Sequence, residues 1–205
     1  MNTDRNTIWV GLAVVLVIVG GVFLSQRLRK RNLPTGNMTQ ASPTPTAGTS
    51  ESPIPGKPQV KITTSKGDIV IELRPDVAPK TVANYLGLWS RGECNGRTWH
   101  RVEDWVVQGC DPKGDGTGGN TTLPTETSSE SFTAGAVGVA RLPANKDVSN
   151  DSQFFIVKKD ATNLNGDYTY FGRVISGMDV VDKLAVGDKI VSTLTLSKWA
   201  CNVLK

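Results

Sequence analysis

The sequence predicts a mainly β domain at residues 59–205: a closed antiparallel barrel whose ends are plugged by two α-helices. It sits behind a transmembrane segment (residues 1–32 with its basic flank) and a linker (residues 33–58). Three observations carry this reading. An uncharged apolar run lies near the N-terminus, and a tract rich in Pro, Thr and Ser follows it. Beyond that tract, short alternating apolar segments recur, with only two stretches of helical period.

Residues 8–24 read IWVGLAVVLVIVGGVFL, seventeen residues without a charge. That is the short end of what crosses a bilayer core as a helix, with Trp9 placed for the interface. A cleaved signal would need a basic start and a small-residue cleavage site. Here the start is nearly neutral, and the run leads into Arg27, Arg29, Lys30 and Arg31, which favours an uncleaved anchor. Residues 33–58 hold few large apolar groups and cannot bury enough surface to offset ordering, so they read as an extended tether.

Residues 59–73 alternate (Val60, Ile62; then Ile69, Ile71, Leu73) around the turn composition Ser65-Lys66-Gly67-Asp68, which is a β-hairpin pattern. Residues 78–89 open with Pro79 and place Val82, Tyr85, Leu86 and Trp89 on one helical face, and Gly92 suits the end. Further strands are predicted at 98–102, 105–109, 136–141, 153–157, 170–175 and 189–196, with a second helix over 177–186. Long loops fill 111–133 and 142–151, and loops of that length in a compact domain are commonly functional or mobile.

The composition narrows the function. The 205-residue chain carries 23 cations and 19 anions. Residues 1–58 hold six of the cations and two of the anions, so residues 59–205 balance at 17 of each. The folded part therefore has no basic bias toward nucleic acid. Three cysteines (Cys94, Cys110, Cys201) form no C-x-x-C pair, and His100 is the one histidine, so neither a disulfide framework nor a metal site is indicated. The loop Asp115-Gly116-Thr117-Gly118-Gly119 lacks the Gly-Lys-Ser/Thr ending of a phosphate loop, and no Gly-x-Ser-x-Gly elbow occurs. Trp99-His100-Arg101-Val102 and Trp105-Val106-Val107-Gln108 are more informative. An arginine, apolar residues and a glutamine on one wall can hold an apolar group and hydrogen-bond an amide. An ordinary strand pair with a surface arginine fits the same pattern.

At this point residues 59–196 resemble the cyclophilins, peptidyl-prolyl cis-trans isomerases. The matching blocks run in order. They are Thr64-Ser65-Lys66-Gly67-Asp68-Ile69, Ala78-Pro79-Lys80-Thr81-Val82-Ala83-Asn84-Tyr85, WHRV at 99–102, QGCDP at 108–112 and Gly116-Thr117-Gly118-Gly119. Gly138-Val139-Ala140, Ser152-Gln153-Phe154-Phe155-Ile156 and the stretch 164–172 follow. The resemblance implies an eight-stranded antiparallel barrel capped by two helices, and an enzyme that rotates X-Pro bonds of polypeptides with no cofactor and no metal. It implies Arg101 as the main catalytic group and Gln108 as the holder of substrate backbone. Trp105, Val106, Phe155 and Leu164 would form the proline pocket, and the peptide would lie along Ala140 and Arg141. Tyr168 stands where many members have a histidine. Asn163 stands where many have a tryptophan tied to their response to cyclosporin, which puts that response in doubt. Cys110 replaces a glycine and Asn165 an aspartate.

The rival implied by the altered pocket is a low-turnover binding module or chaperone on the same fold. The side of the membrane is contested. The basic flank at 27–31 puts the domain in the cytoplasm under the positive-inside rule. Resemblance to tethered bacterial relatives puts it outside, and the expectation leans outward. If the domain lies outside, Cys94 and Cys110 can pair, but their separation is not readable from sequence.

Overall fold

The computed structural model describes residues 56–142 and 144–196. The expected transmembrane segment and nearly all of the linker lie outside them. No helix among the described residues is long and apolar enough to cross a membrane.

The chain opens with β1 (Gln59–Thr64) and β2 (Gly67–Leu73), the predicted hairpin, and continues into α1 (Pro79–Ser90). Then come β3 (Trp99–Val102), β4 (Val106–Gly109), β5 (Leu123–Pro124), β6 (Ala136–Val139), β7 (Val148–Ser149) and β8 (Phe154–Val157). A 3₁₀ turn (Thr162–Leu164), β9 (Tyr170–Ser176), α2 (Met178–Lys183) and β10 (Ile190–Thr195) complete it.

Eight strands form one antiparallel sheet in the order β10-β1-β2-β9-β6-β8-β4-β3. The barrel is nearly closed rather than fully closed. Its two end strands do not pair along their length; the seam is held around the start of β3 by a bridge between Thr98 and Lys189 and by backbone bonds that include Trp99 N–H to Asp188 O (2.8 Å) and Ile190 N–H to Arg97 O (2.8 Å). The two long loops are not featureless: β5 and β7 pair as a two-residue ribbon. Such a ribbon has no periodicity to reveal it, and Pro124 argues against a strand locally.

The barrel interior is apolar because alternate residues of each strand point inward. Val60, Ile62, Ile69, Ile71, Val107, Val137, Phe154, Ile156 and Phe171 are buried there. α1 closes one end with Val82, Tyr85, Leu88 and Trp89; Leu86, expected on this face, lies at its margin. Tyr85 stacks on Phe171 (4.7 Å between centroids) and Trp89 meets Phe154 edge-on (5.5 Å). Ala78 offers no side chain to cap α1. Instead the distant Glu126 carboxylate accepts from Lys80 N–H (3.1 Å) and Thr81 N–H (2.8 Å), placing negative charge at the helix N-terminus. α2 is shorter than predicted. Leu184 turns extended, and Asp188 accepts from Ala185 N–H (2.8 Å) and from the Ser65 hydroxyl (2.9 Å), so a side-chain-closed turn replaces the last helical turn.

Candidate active site

The pleat that sends Val107 inward sends Val106 and Gln108 to the outer face of β4. There they meet the outward residues of neighbouring strands. Gln108 lies opposite Arg101 of β3 on one side and Phe155 of β8 on the other. A second buried cluster forms under this face from Val106, Phe132, Ala136, Phe155, Val157, Ala161, Leu164 and Tyr170. Phe155 reaches over β6 because its cross-strand partner is Gly138, where a Cβ would overlap the rings of Phe155 and Phe132.

One cleft opens on this surface. Arg101, Trp105, Val106, Gln108, Ala140, Arg141, Phe155, Leu164 and Tyr168 line it, which are the nine residues the sequence singled out. Its volume is about 90 Å³. That is well below the roughly 300–1,000 Å³ of drug-sized ligand pockets and suits a single small ring. The floor is Phe155, stacked on Phe132 (5.7 Å) and edge-on to Tyr168 (5.9 Å).

The polar side of the cleft is wired. Arg101 Nη1 donates to Gln108 Oε1 (3.4 Å), a long bond, and Arg101 Nε donates to Glu103 Oε1 (2.7 Å). Gln108 Nε2 donates to Gln153 Oε1 (2.9 Å), and Gln153 Nε2 donates to Gly118 O (2.8 Å) and Gly116 O (3.1 Å). The Gln108 amide is thereby oriented with its oxygen toward Arg101. The Gly-rich loop serves as its anchor, itself gathered around buried Asp111, which accepts from Lys113, Asp115 and Gly116 N–H. Gln153 is thus a supporting residue to which the sequence reading gives no role, although it stands within the quoted Ser152–Ile156 block.

On the opposite wall, the Arg141 guanidinium lies 4.2 Å over the Tyr168 ring. Its Nε donates to Asp167 O (3.1 Å), and Lys146 holds the Asp167 carboxylate at 2.8 Å, which pulls that carboxyl below its ordinary pKa. Asn165, in place of an aspartate, still accepts from Phe132 N–H (2.9 Å). Asn163 is exposed in the 3₁₀ turn and does not line the cleft. The main chain at Ala140 is engaged, N–H to Gln153 O (3.0 Å) and C=O from Asn150 N–H (2.8 Å). Among the described residues, the main chain of Arg141 makes no such bond.

His100 is structural in setting. Both ring nitrogens are buried without a protein partner, and burial holds its pKa below 6.5. The pairing that the sequence leaves open is made: Cys94 and Cys110 form a disulfide with their Cα atoms 5.0 Å apart. It ties the turn after α1 to the end of β4, two residues past Gln108. Cys110 is the one non-glycine residue with positive φ (64°) among the described residues, so a position shaped for glycine is held by the cross-link instead.

Known proteins resemble this chain in sequence and in fold. The family model for the cyclophilin type peptidyl-prolyl cis-trans isomerases matches residues 59–199. A probable peptidyl-prolyl cis-trans isomerase of Brucella suis is 42% identical over 137 residues, covering 60% of this chain and 69% of the relative. Peptidyl-prolyl cis-trans isomerase B of Bacillus subtilis is 42% identical over 122 residues, 58% of this chain and 85% of the relative. The crystal structure of a Cryptosporidium parvum cyclophilin type peptidyl-prolyl cis-trans isomerase superposes with a TM-score of 0.65 at 28% identity, covering 69% of this chain and 99% of that one. This domain thus spans nearly the whole of that crystallised chain. The same protein has also been crystallised in the presence of the dipeptide Ala-Pro, and that structure superposes at a TM-score of 0.63. By the family match and these relatives, the chain belongs to the cyclophilin-type peptidyl-prolyl cis-trans isomerases.

Proposed function

We propose that this isomerase acts on X-Pro bonds of polypeptides held in the cleft, with Arg101 as the catalytic group. The observation that carries this is the convergence of a guanidinium with spare donors, an oriented amide and an apolar floor in one small cleft. Amide resonance sets a barrier of about 18–20 kcal/mol to rotation. A donor to the prolyl nitrogen localises its lone pair, which weakens the C–N double-bond character most in the twisted transition state. Arg101 has five N–H donors, of which one goes to Glu103 and one to Gln108, leaving three for substrate. Trp105, Val106, Phe155, Leu164 and Tyr168 grip the ring. Gln108 and the unengaged main chain of Arg141 hold the flanking peptide, beside the main chain of Ala140. No bond is made or broken, so the chemistry calls for no cofactor or metal. The exposed Asn163 argues for a weak response to cyclosporin.

The test uses residues 56–205 and a prolyl tetrapeptide. Arg101→Ala removes a charged donor, so the exchange rate falls about 10- to 100-fold. Full activity would overturn the assignment. Exchange line shapes in NMR separate turnover from the binding-module reading, in which peptide binds without accelerated exchange.

The location proposed is a membrane tether with the domain on the outer side. The uncharged run at 8–24 and the Pro/Thr/Ser-rich spacer support the tether. The Cys94–Cys110 disulfide supports an oxidising compartment, against the basic flank at 27–31. Protease accessibility of the domain in intact cells decides it: protection until the membrane is breached refutes the outward placement.

A further inference from the structure

We propose that Glu103 is a positioning residue of this active site, its single carboxylate holding the Arg101 guanidinium and the Trp105 indole in fixed relation at the cleft's edge. The proposal rests on the reading of Arg101 as catalytic and Trp105 as pocket wall. Its basis is geometric. Glu103 Oε1 accepts from Arg101 Nε (2.7 Å) while Oε2 accepts from Trp105 Nε1 (2.8 Å). Arg101 Cζ stands 5.4 Å from the centre of the Trp105 ring, so the three side chains close a small triangle.

The turn that carries the carboxylate is itself pinned. Glu103 N–H donates to Val106 O (2.8 Å), closing the β3–β4 connection. Trp105 O accepts from Lys158 N–H (2.7 Å), just past β8, and Lys158 Nζ donates to Glu103 O (3.3 Å). A carboxylate on a mobile loop would follow the arginine; this one is anchored on two strands, so the arginine follows it.

Two contacts are needed to orient a guanidinium. The Nη1 bond to Gln108 alone, at 3.4 Å, leaves the planar group free to swing about its stem. The Nε bond to Glu103 fixes the plane, and with it the directions in which the three remaining donors point. The same carboxylate satisfies an indole N–H that would otherwise turn toward water and let the wall tilt. The two bonds use the two different oxygens of the carboxylate; Gln at 103 keeps an oxygen at one of those places and Ala at neither, so neither variant reproduces both bonds.

The experiment compares residues 56–205 with Glu103→Gln, Glu103→Ala and Glu103→Asp. The readouts are prolyl-peptide kinetics and ¹⁵N spectra of the Trp105 indole and Arg101 Nε–H groups. Expected for Gln and Ala is a fall in kcat of about tenfold, with a smaller change in KM. The indole N–H resonance shifts upfield and the Arg101 Nε–H exchanges faster with water. Asp, which keeps two oxygens on a shorter stem, restores part of kcat and of both signals. Unchanged kcat/KM in Glu103→Gln overturns the proposal. Loss of activity with both signals unmoved also overturns it, since the role would then be structural only. Full activity in Arg101→Ala overturns the site reading itself. Reduced activity there, beside an unaffected Glu103→Gln, overturns only the role of Glu103.

Discussion

Breaking the Cys94–Cys110 bond should cost the domain a large share of its stability. The bond closes a loop with a sequence separation of 16. Loop-closure entropy for a ring of that size amounts to about 3 kcal/mol at 25 °C. Against a typical total of about 5–15 kcal/mol, that is a substantial fraction. For a domain of this size it corresponds to a fall in Tm of roughly 10 °C. Both sulfurs are buried, so replacement by alanine adds little polar penalty. The assay is thermal unfolding of residues 56–205 followed by circular dichroism, oxidised and reduced, beside Cys94→Ala. A second comparison isolates the backbone. Cys110 sits at φ 64°, a conformation glycine adopts freely, so Cys94→Ala/Cys110→Gly should exceed Cys94→Ala/Cys110→Ala in stability by about 1 kcal/mol. A loss below about 1 kcal/mol on reduction would refute the cross-link's role and with it the support it lends to an oxidising location.

Gly138→Ala pushes a Cβ into the rings of Phe155 and Phe132, so stability falls by about 1–3 kcal/mol and KM for prolyl peptide rises as the pocket floor shifts; unchanged melting and kinetics count against it. Glu126→Gln weakens the distant cap of α1 by about 1 kcal/mol, read as a lower denaturation midpoint at constant m-value, with the difference shrinking in high salt. Burial disfavours the His100 imidazolium, so its folded pKa lies below 6.5 and the unfolded chain takes the proton first. The resulting stability is full above pH 6.5 and is lost as pH falls through the lower folded value; His100→Gln flattens that slope, and an identical slope in the variant excludes His100 as its source.

Much of the site was legible because its residues sit in short blocks with strong local patterns. Arg101 and Gln108 lie seven apart across a short hairpin, and the pairing register that makes them direct cross-strand partners puts them on one face. Phe155, Leu164 and Tyr168 carry no local mark of a pocket. They entered through their resemblance to family blocks, and the structure supplies the reason: Gly138 and the 3₁₀ turn let them lean over β4 and β6. Gln153, Glu103 and Glu126 carry no local mark of their roles, since nothing in their own neighbourhoods states whom they contact.

The hairpin at 59–73, the helix at Pro79, the outward set of β4 and the absence of basic bias in the folded part follow from the order of amino acids. These depend on periods of 2 and 3.6 and on counts of charge, all local quantities. The near closure of the barrel, the Cys94–Cys110 bond, the cap from Glu126 and the chain of bonds from Gln108 through Gln153 to the Gly-rich loop emerge with the folded arrangement. Each joins segments brought together by packing of the apolar interior, and such proximity is a property of the whole fold rather than of any stretch of chain.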